Sequence, residues 1–294
     1  MGWTLTHSLD RFLDAAGGFL AADPTENSVP LSICAALRRQ GMDTYGQEPP
    51  RFGWWEGPGG AVEAAYLRTP PYPPLLTRGT AQASAELARE LGDAVAGVRG
   101  EKQAVLAYGD AWRERTGGQV TAGPDTRLYR LGELTPGTPV PPGRARTAGT
   151  ADRTLLLRWQ EEFARDVGTA MPGGERVLDD ALAYGGRLLW ELPDGEPVAQ
   201  AGFTPPADGT SRILAVYTPE HHRGRGYGGA VTVAATRAAL AAGATEVVLF
   251  TDLANPVSNA LYRKLGYVPV RDFAELEFTA GVRSGRPGTE PLPA

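Results

Sequence analysis

One cysteine, Cys34, leaves no partner for an internal disulfide and cannot build a multi-cysteine zinc site. Its neighbours Leu31, Ile33, Ala35 and Ala36 follow an apolar helical pattern, which predicts a buried structural thiol rather than a nucleophile. Histidine is scarce too: His7 stands far along the chain from His221 and His222, so no metal centre is expected. There is no excess of positive charge. With 29 Lys and Arg against 34 Asp and Glu, the net charge of -5 argues against a general nucleic-acid binder, which needs a cationic surface. No apolar run reaches membrane-spanning length, because Arg237 interrupts the alanine-rich stretch after Gly229. Asp10, Arg11 and Asp14 interrupt the first twenty residues, unlike a secretory leader. A cytoplasmic protein without membrane or nucleic-acid partners is the expectation.

What is present suffices for a folded core: 42% of residues are hydrophobic and 21% charged. At 294 residues the chain exceeds one average domain. Thr135 to Arg146, rich in proline, glycine and arginine, reads as an extended linker, and Gly281 to Ala294 as a flexible tail. The expected division is therefore 1–134, a linker at 135–150, a second unit at 151–280 and the tail at 281–294.

Periodicity in the second unit predicts helices at Ala151–Val167 and Glu175–Tyr184, then strands at Arg187–Glu191, Pro197–Phe203 and Ser211–Tyr217. A glycine-rich loop leads into a long helix, Gly226–Ala242. A strand at Glu246–Thr251, a helix at Asn255–Leu265 and a strand at Glu275–Phe278 follow. The first unit repeats this order more loosely. Helices are expected at Ser8–Ala21, Ser28–Arg39, Ala81–Leu91 and Lys102–Arg115. Strands are expected at Phe52–Glu56, Ala61–Leu67, Ala94–Val98 and Arg127–Leu131. The pattern suggests a tandem duplication of a mixed α/β unit.

The sharpest signal is Arg223-Gly224-Arg225-Gly226-Tyr227-Gly228-Gly229, set between an apolar strand and a long helix. Such a loop aims backbone N–H groups and the positive helix end at one point, and glycine lets an anion approach them. With His221 and His222, the two arginines make a local cationic cluster on an acidic chain. A glycine-rich turn that merely ends a strand is the plain alternative; an arginine–glycine segment for nucleic acid is another. A dinucleotide fold would place the loop after the first strand of a βαβ unit, whereas here it follows a hairpin. A phosphate-loop nucleotidase would need a Gly-Lys-Ser/Thr ending, which is missing.

The second signal is the punctuated helix starting at Asn255, a good N-cap, with Pro256 at the first helical position and Gly266 past the end. Ser258, Asn259 and Tyr262 share a polar face, while Leu261 and Leu265 supply the buried side. Tyr262 reads either as a half-buried structural tyrosine or as a phenol placed to give up a proton.

Together, Arg223-x-x-Gly226-x-Gly228 and the Asn255, Asn259, Leu261-Tyr262 to Gly266-Tyr267 pattern resemble the two coenzyme A motifs of the GNAT superfamily of N-acetyltransferases. The flanking Val216-Tyr217-Thr218-Pro219-Glu220 and Thr251 to Pro256 resemble a bacterial branch with tandem halves. The close match covers about Ser211 to Tyr267. The resemblance implies two tandem halves, each a mostly antiparallel mixed sheet flanked by helices. It implies acetyl-CoA as co-substrate, no metal, and a small-molecule amine as acceptor, the monomeric or dimeric state being open. The cofactor-binding residues it implies are Val216, Tyr217, Thr218, Arg223, Gly224, Arg225, Gly226, Tyr227, Gly228, Gly229, Asn255, Ser258, Asn259 and Tyr262. It further implies that the amine attacks the thioester directly, that a strand N–H near Val216 holds the oxyanion, and that Tyr262 protonates the departing thiolate. Glu161, Glu162, Tyr217 and Glu220 stand as candidate bases, with none singled out. A peptide acetyltransferase and an idle coenzyme A-binding module remain alternatives.

The first unit departs from the motif. Thr69-Pro70-Pro71-Tyr72-Pro73-Pro74 stands where its pyrophosphate loop is expected, and prolines lack the N–H donors of an anion nest. That half reads as non-catalytic, shaping the substrate cleft, with Trp54 and Trp55 as packing residues.

Overall fold

The computed structural model describes residues 1–92, 95–167 and 174–280. The first half runs β1 (Gly2–Thr6), α1 (Leu9–Ala21), α2 (Ser28–Gln40), β2 (Arg51–Glu56), β3 (Val62–Arg68) and β4 (Leu75–Leu76). It continues through α3 (Ala81–Leu91), β5 (Gly97–Glu101), α4 (Lys102–Thr116), β6 (Gln119–Ala122) and β7 (Thr126–Leu131). The second half runs β8 (Arg144–Thr147), α5 (Arg153–Val167), α6 (Gly174–Ala183), β9 (Arg187–Glu191), β10 (Pro197–Phe203) and β11 (Thr210–Tyr217). It closes with α7 (Tyr227–Ala241), β12 (Glu246–Asp252), α8 (Pro256–Lys264) and β13 (Tyr267–Thr279).

The local chemistry explains the boundaries. Ser8 caps α1 by accepting from the Arg11 N–H, and Leu9, Phe12, Ala16 and Leu20 fall on its buried stripe. Asn255 caps α8 by accepting from the Ser258 N–H, and Pro256 opens it. Gly266 ends it with φ 92°, where a Cβ would also lie 1.8 Å from the Glu133 carbonyl oxygen. Only glycine fits there.

All the strands join one mixed sheet in the order β1-β2-β3-β4-β5-β13-β7-β12-β11-β10-β9-β8, with β6 beside β13. Two pairs are parallel, β4 with β5 and β11 with β12, and each is bridged by a crossover helix, α3 or α7. This repeated strand–helix–strand unit is the tandem signature that the element order anticipated. The closing strands are exchanged. From the first half, β7 lies between β12 and the start of β13, while the end of β13 lies between β5 and β6. Each half therefore completes its sheet with a strand from the other.

Several expectations shift. The segment 135–150 is not bare linker, since β8 pairs with β9. β13 is thirteen residues long rather than four, with a bulge between Pro269 and Arg271. Proline is tolerated at such a bulge because it has no N–H to give the ladder. β1, β4 and β6 were not anticipated, and β5 starts at Gly97; Ala94 lies outside the described residues, as does the tail 281–294. Cys34 is buried, and burial pushes its thiol up to about 12. Trp54 and Trp55 are core residues as well. Among the described residues no helix is long and apolar enough to cross a membrane.

Candidate active site

Parallel pairing of β11 with β12 ends at Ile213 and Leu249, so Leu214 to Tyr217 run on without a β12 partner. The turn away is built into the backbone. Ala215 takes φ 51°, a region that costs an L-residue about 1–2 kcal/mol, and the β10 register slips between Gln200 and Gly202 opposite it. Val216 and Thr218 are half-buried and Tyr217 is buried at this split.

Beyond the split, the chain makes a 3-10 turn at Glu220–His222 and enters the glycine loop. Gly224 and Gly226 have φ 77° and 84°, and Gly226 is the N-cap of α7. A capping side chain is absent by construction, so the first-turn amides are not satisfied by α7's own cap. The corresponding helix of the first half differs. Between β4 and α3 stand Thr77 to Thr80, and the Thr80 hydroxyl accepts from the Ala83 N–H at 3.1 Å. The counterpart of the loop is thus this short capped turn, and the proline run at 69–74 precedes β4 instead.

The helix behind the loop is held firmly. Val231, Val233, Ala235 and Ala239 are buried in the main cluster of the second half; a fully buried valine is worth about 1.5–3 kcal/mol. A Cβ on Gly229 would lie 3.1 Å from Leu261 Cδ1, so the two motif helices meet at that glycine.

The four cationic side chains divide. Arg223 is tied down: its Nε donates to the Thr218 carbonyl at 3.0 Å, its Nη2 to Asp166 of α5, and its guanidinium lies 5.9 Å from the Tyr217 ring centre. Arg225 is exposed and pairs with no carboxylate among the described residues. His221 is exposed, whereas His222 is buried with Nε2 3.3 Å from Glu196 Oε1. Glu196, His221 and His222 bring their ligating atoms within 4.8 Å of one another, a grouping that sequence spacing did not reveal.

On α8, Tyr262 is 7% exposed and its hydroxyl has no hydrogen-bond partner among the described residues. Burial raises its pKa, with Tyr267 adding to the effect, so the phenol stays protonated. Asn259 is otherwise engaged. Its Nδ2 donates to the Asp252 and Asn255 carbonyls at 2.8 and 2.7 Å, and its Oδ1 accepts from the Tyr129 hydroxyl at 2.8 Å. Both ends of its amide are thus engaged within the protein, which anchors α8. Asn255 spends its side-chain oxygen on the cap, and Ser258 is half-buried beside it. Tyr227 is buried with Tyr129, Tyr262 and Tyr267 in one cluster.

Of the candidate bases, Glu162 and Tyr217 come together: the Tyr217 hydroxyl donates to Glu162 Oε2 at 2.9 Å. Burial, then this hydrogen bond, push Tyr217 up to about 12. Glu161 and Glu220 are exposed. Sequence reasoning missed Asp166, Ala215 and Tyr129; the last sits 130 positions from its partner on the exchanged strand.

Residues 154–267 match the family described as the acetyltransferase (GNAT) family. No curated protein matches the chain. Among solved structures, a Drosophila protein aligns at TM-score 0.65 and 11% identity over 93% of this chain and 97% of its own. A GNAT-family acetyltransferase from Colwellia psychrerythraea aligns at TM-score 0.59 and 12% identity, covering 95% of this chain and 100% of its own. A tandem GNAT protein from the clavulanic acid biosynthesis pathway aligns at TM-score 0.55 and 14% identity, over 95% and 98%. These structural likenesses are likenesses of fold.

Proposed function

We propose that this chain, which carries a GNAT acetyltransferase domain at residues 154–267, transfers acetyl from acetyl-CoA to the primary amine of a small molecule. The supporting observation is the uncapped start of α7. Gly226 leaves the first-turn amides without a side-chain partner among the described residues, beside the split of β11 from β12 and Arg225, which pairs with no carboxylate among them. Those amides and Arg225 would hold the pyrophosphate of the coenzyme. Acetyl-CoA supplies the activated acyl group as a thioester. Tyr262, neutral and without a hydrogen-bond partner among the described residues, would donate the proton a leaving thiolate needs. The Glu162–Tyr217 pair is the candidate to take a proton from the incoming amine. We assign the cofactor to 151–280 and a supporting role to 1–134, whose equivalent helix start is capped by Thr80.

The test is calorimetric titration with acetyl-CoA followed by a thiol-release assay over a panel of amines. Binding with release on at least one small amine is the expected result. Binding without release on any amine would point to an idle coenzyme-binding module, and release on peptides alone to a protein-modifying enzyme.

A further inference from the structure

A cavity of about 250 Å³ lies between the two halves, walled by α2, α6, the start of β9, the turn after β10 and the middle of β11. It is on the sheet face opposite α7: Arg187, Arg212 and Leu214 line it, while the alternate residues Leu188 and Ile213 pack in the cluster that contains α7. Leu214 is the first residue of β11 beyond its pairing with β12. The cavity therefore abuts the split from behind.

Its charge is lopsided. Four arginines line it, Arg39, Arg99, Arg187 and Arg212, against one carboxylate, Asp180, which Arg39 already holds at 2.6 Å. Arg99, Arg187 and Arg212 make no ion pair among the described residues. Arg187 is 6% exposed and its Nη1 has no partner; the Arg99 Nε is likewise buried without one. Arg212 reaches only the Ser28 carbonyl at 3.2 Å and the Ser32 hydroxyl at 3.0 Å. Glu275 faces Arg99 across the ladder without closing to an ion pair. The sheet makes room for this arrangement: a Cβ on Gly202 would sit 1.8 Å from Arg187 Nη1.

Tyrosines cannot supply the missing negative charge. Tyr72 stacks under Arg99 at 5.4 Å, the Tyr184 hydroxyl donates to the Phe203 carbonyl, and burial pushes Tyr45 up to about 12. Arg187 is buried and Arg99 and Arg212 are half-buried; guanidinium groups drawn out of water without a counter-charge are costly, so three converging on one cavity are stabilised where an anion completes them. Planar N–H forks suit carboxylate and phosphate oxygens.

We propose that this cavity binds the carboxylate or phosphate of a small anionic molecule, and that the molecule is the amine that accepts the acetyl group. The anion site stands on the cavity alone, whereas its assignment to the acceptor rests on the acetyl-transfer reading above.

The test is calorimetric titration of the full-length protein, without coenzyme, by L-glutamate, succinate, inorganic phosphate and ethanolamine. Saturable binding of at least one anion at millimolar concentration or below is expected, with none for ethanolamine, and the responding probe separates carboxylate from phosphate. Arg187→Met should weaken that anion tenfold or more while leaving acetyl-CoA affinity unchanged. Arg99→Met serves as a second variant should the first fail to fold. No saturation by any anion with the wild type, or unaltered anion affinity in the variants, overturns the site. Anion binding with release of coenzyme A only on amines lacking an acidic group overturns the acceptor assignment and leaves the transferase reading intact.

Discussion

Desolvation keeps Tyr262 neutral well past the pH at which a free tyrosine ionises, and nothing described in the protein competes for its proton. If Tyr262 is the general acid we propose, it contributes about 10²–10⁴-fold to the rate. Tyr262→Phe is therefore expected to lower kcat by about 10²-fold or more with acetyl-CoA affinity unchanged, measured by thiol release and calorimetry. Unchanged turnover would remove the acid role. Spacing in a punctuated helix singled out Tyr262 as a candidate. The duty of Asn259 was not legible, because its partners are the carbonyls of Asn255 and of Asp252 at the end of β12 and a phenol 130 positions away, and contact at that separation leaves no local signature.

Elements with strong caps or continuous apolar runs between turns were readable: β9 and β10 fall where predicted, as does α3. Elements stabilised chiefly by neighbours were not. β8 carries Arg144 and Arg146 and passes for linker until it is paired with β9. Arg146 fixes it, gripping Asp152 at 2.7 and 2.8 Å and also reaching Glu191. Hydrogen bonds from Arg146, ahead of the opposing effect of burial, hold the Asp152 carboxyl below the usual carboxylate range. A carboxyl depressed on folding stabilises above its unfolded pKa, about 3.9, and that contribution fades as pH falls through the lower folded value. Asp152→Asn should thus cost about 1–2 kcal/mol at pH 7, and the gap in Tm from wild type should close on acidification below about pH 4. A gap that persists undiminished at pH 2 would show that the ion pair is not its source. Similarly, the start of β13 escaped notice because Pro269, Arg271 and Asp272 break its alternation; Asp272 is held there by Arg127 of β7 at 2.7 Å.

At the scale of the molecule, composition and element order disclosed a duplicated α/β unit, but not that the closing strands change places. Nothing in a strand's own residues states which half it will complete. The consequence is physical interdependence: without β7, both β12 and the start of β13 lose a neighbouring strand. Residues 135–294 expressed alone are expected to lack a cooperative thermal transition, and co-expressed 1–134 should co-purify with them. Cooperative folding of 135–294 alone would mean that β7 is dispensable. The interdomain cavity escaped sequence reasoning for the same reason, since Arg99, Arg187 and Arg212 converge only through the fold.

The proposed coenzyme site rests on the bare start of α7, and calorimetry with acetyl-CoA addresses it directly. Wild type should bind one acetyl-CoA per chain, because the matching helix of the first half is capped by Thr80. Gly226→Val places a β-branched residue at φ 84°, and should lose tenfold or more in affinity while Tm confirms a folded chain. Affinity equal to wild type in that folded variant would mean that the pyrophosphate is held elsewhere.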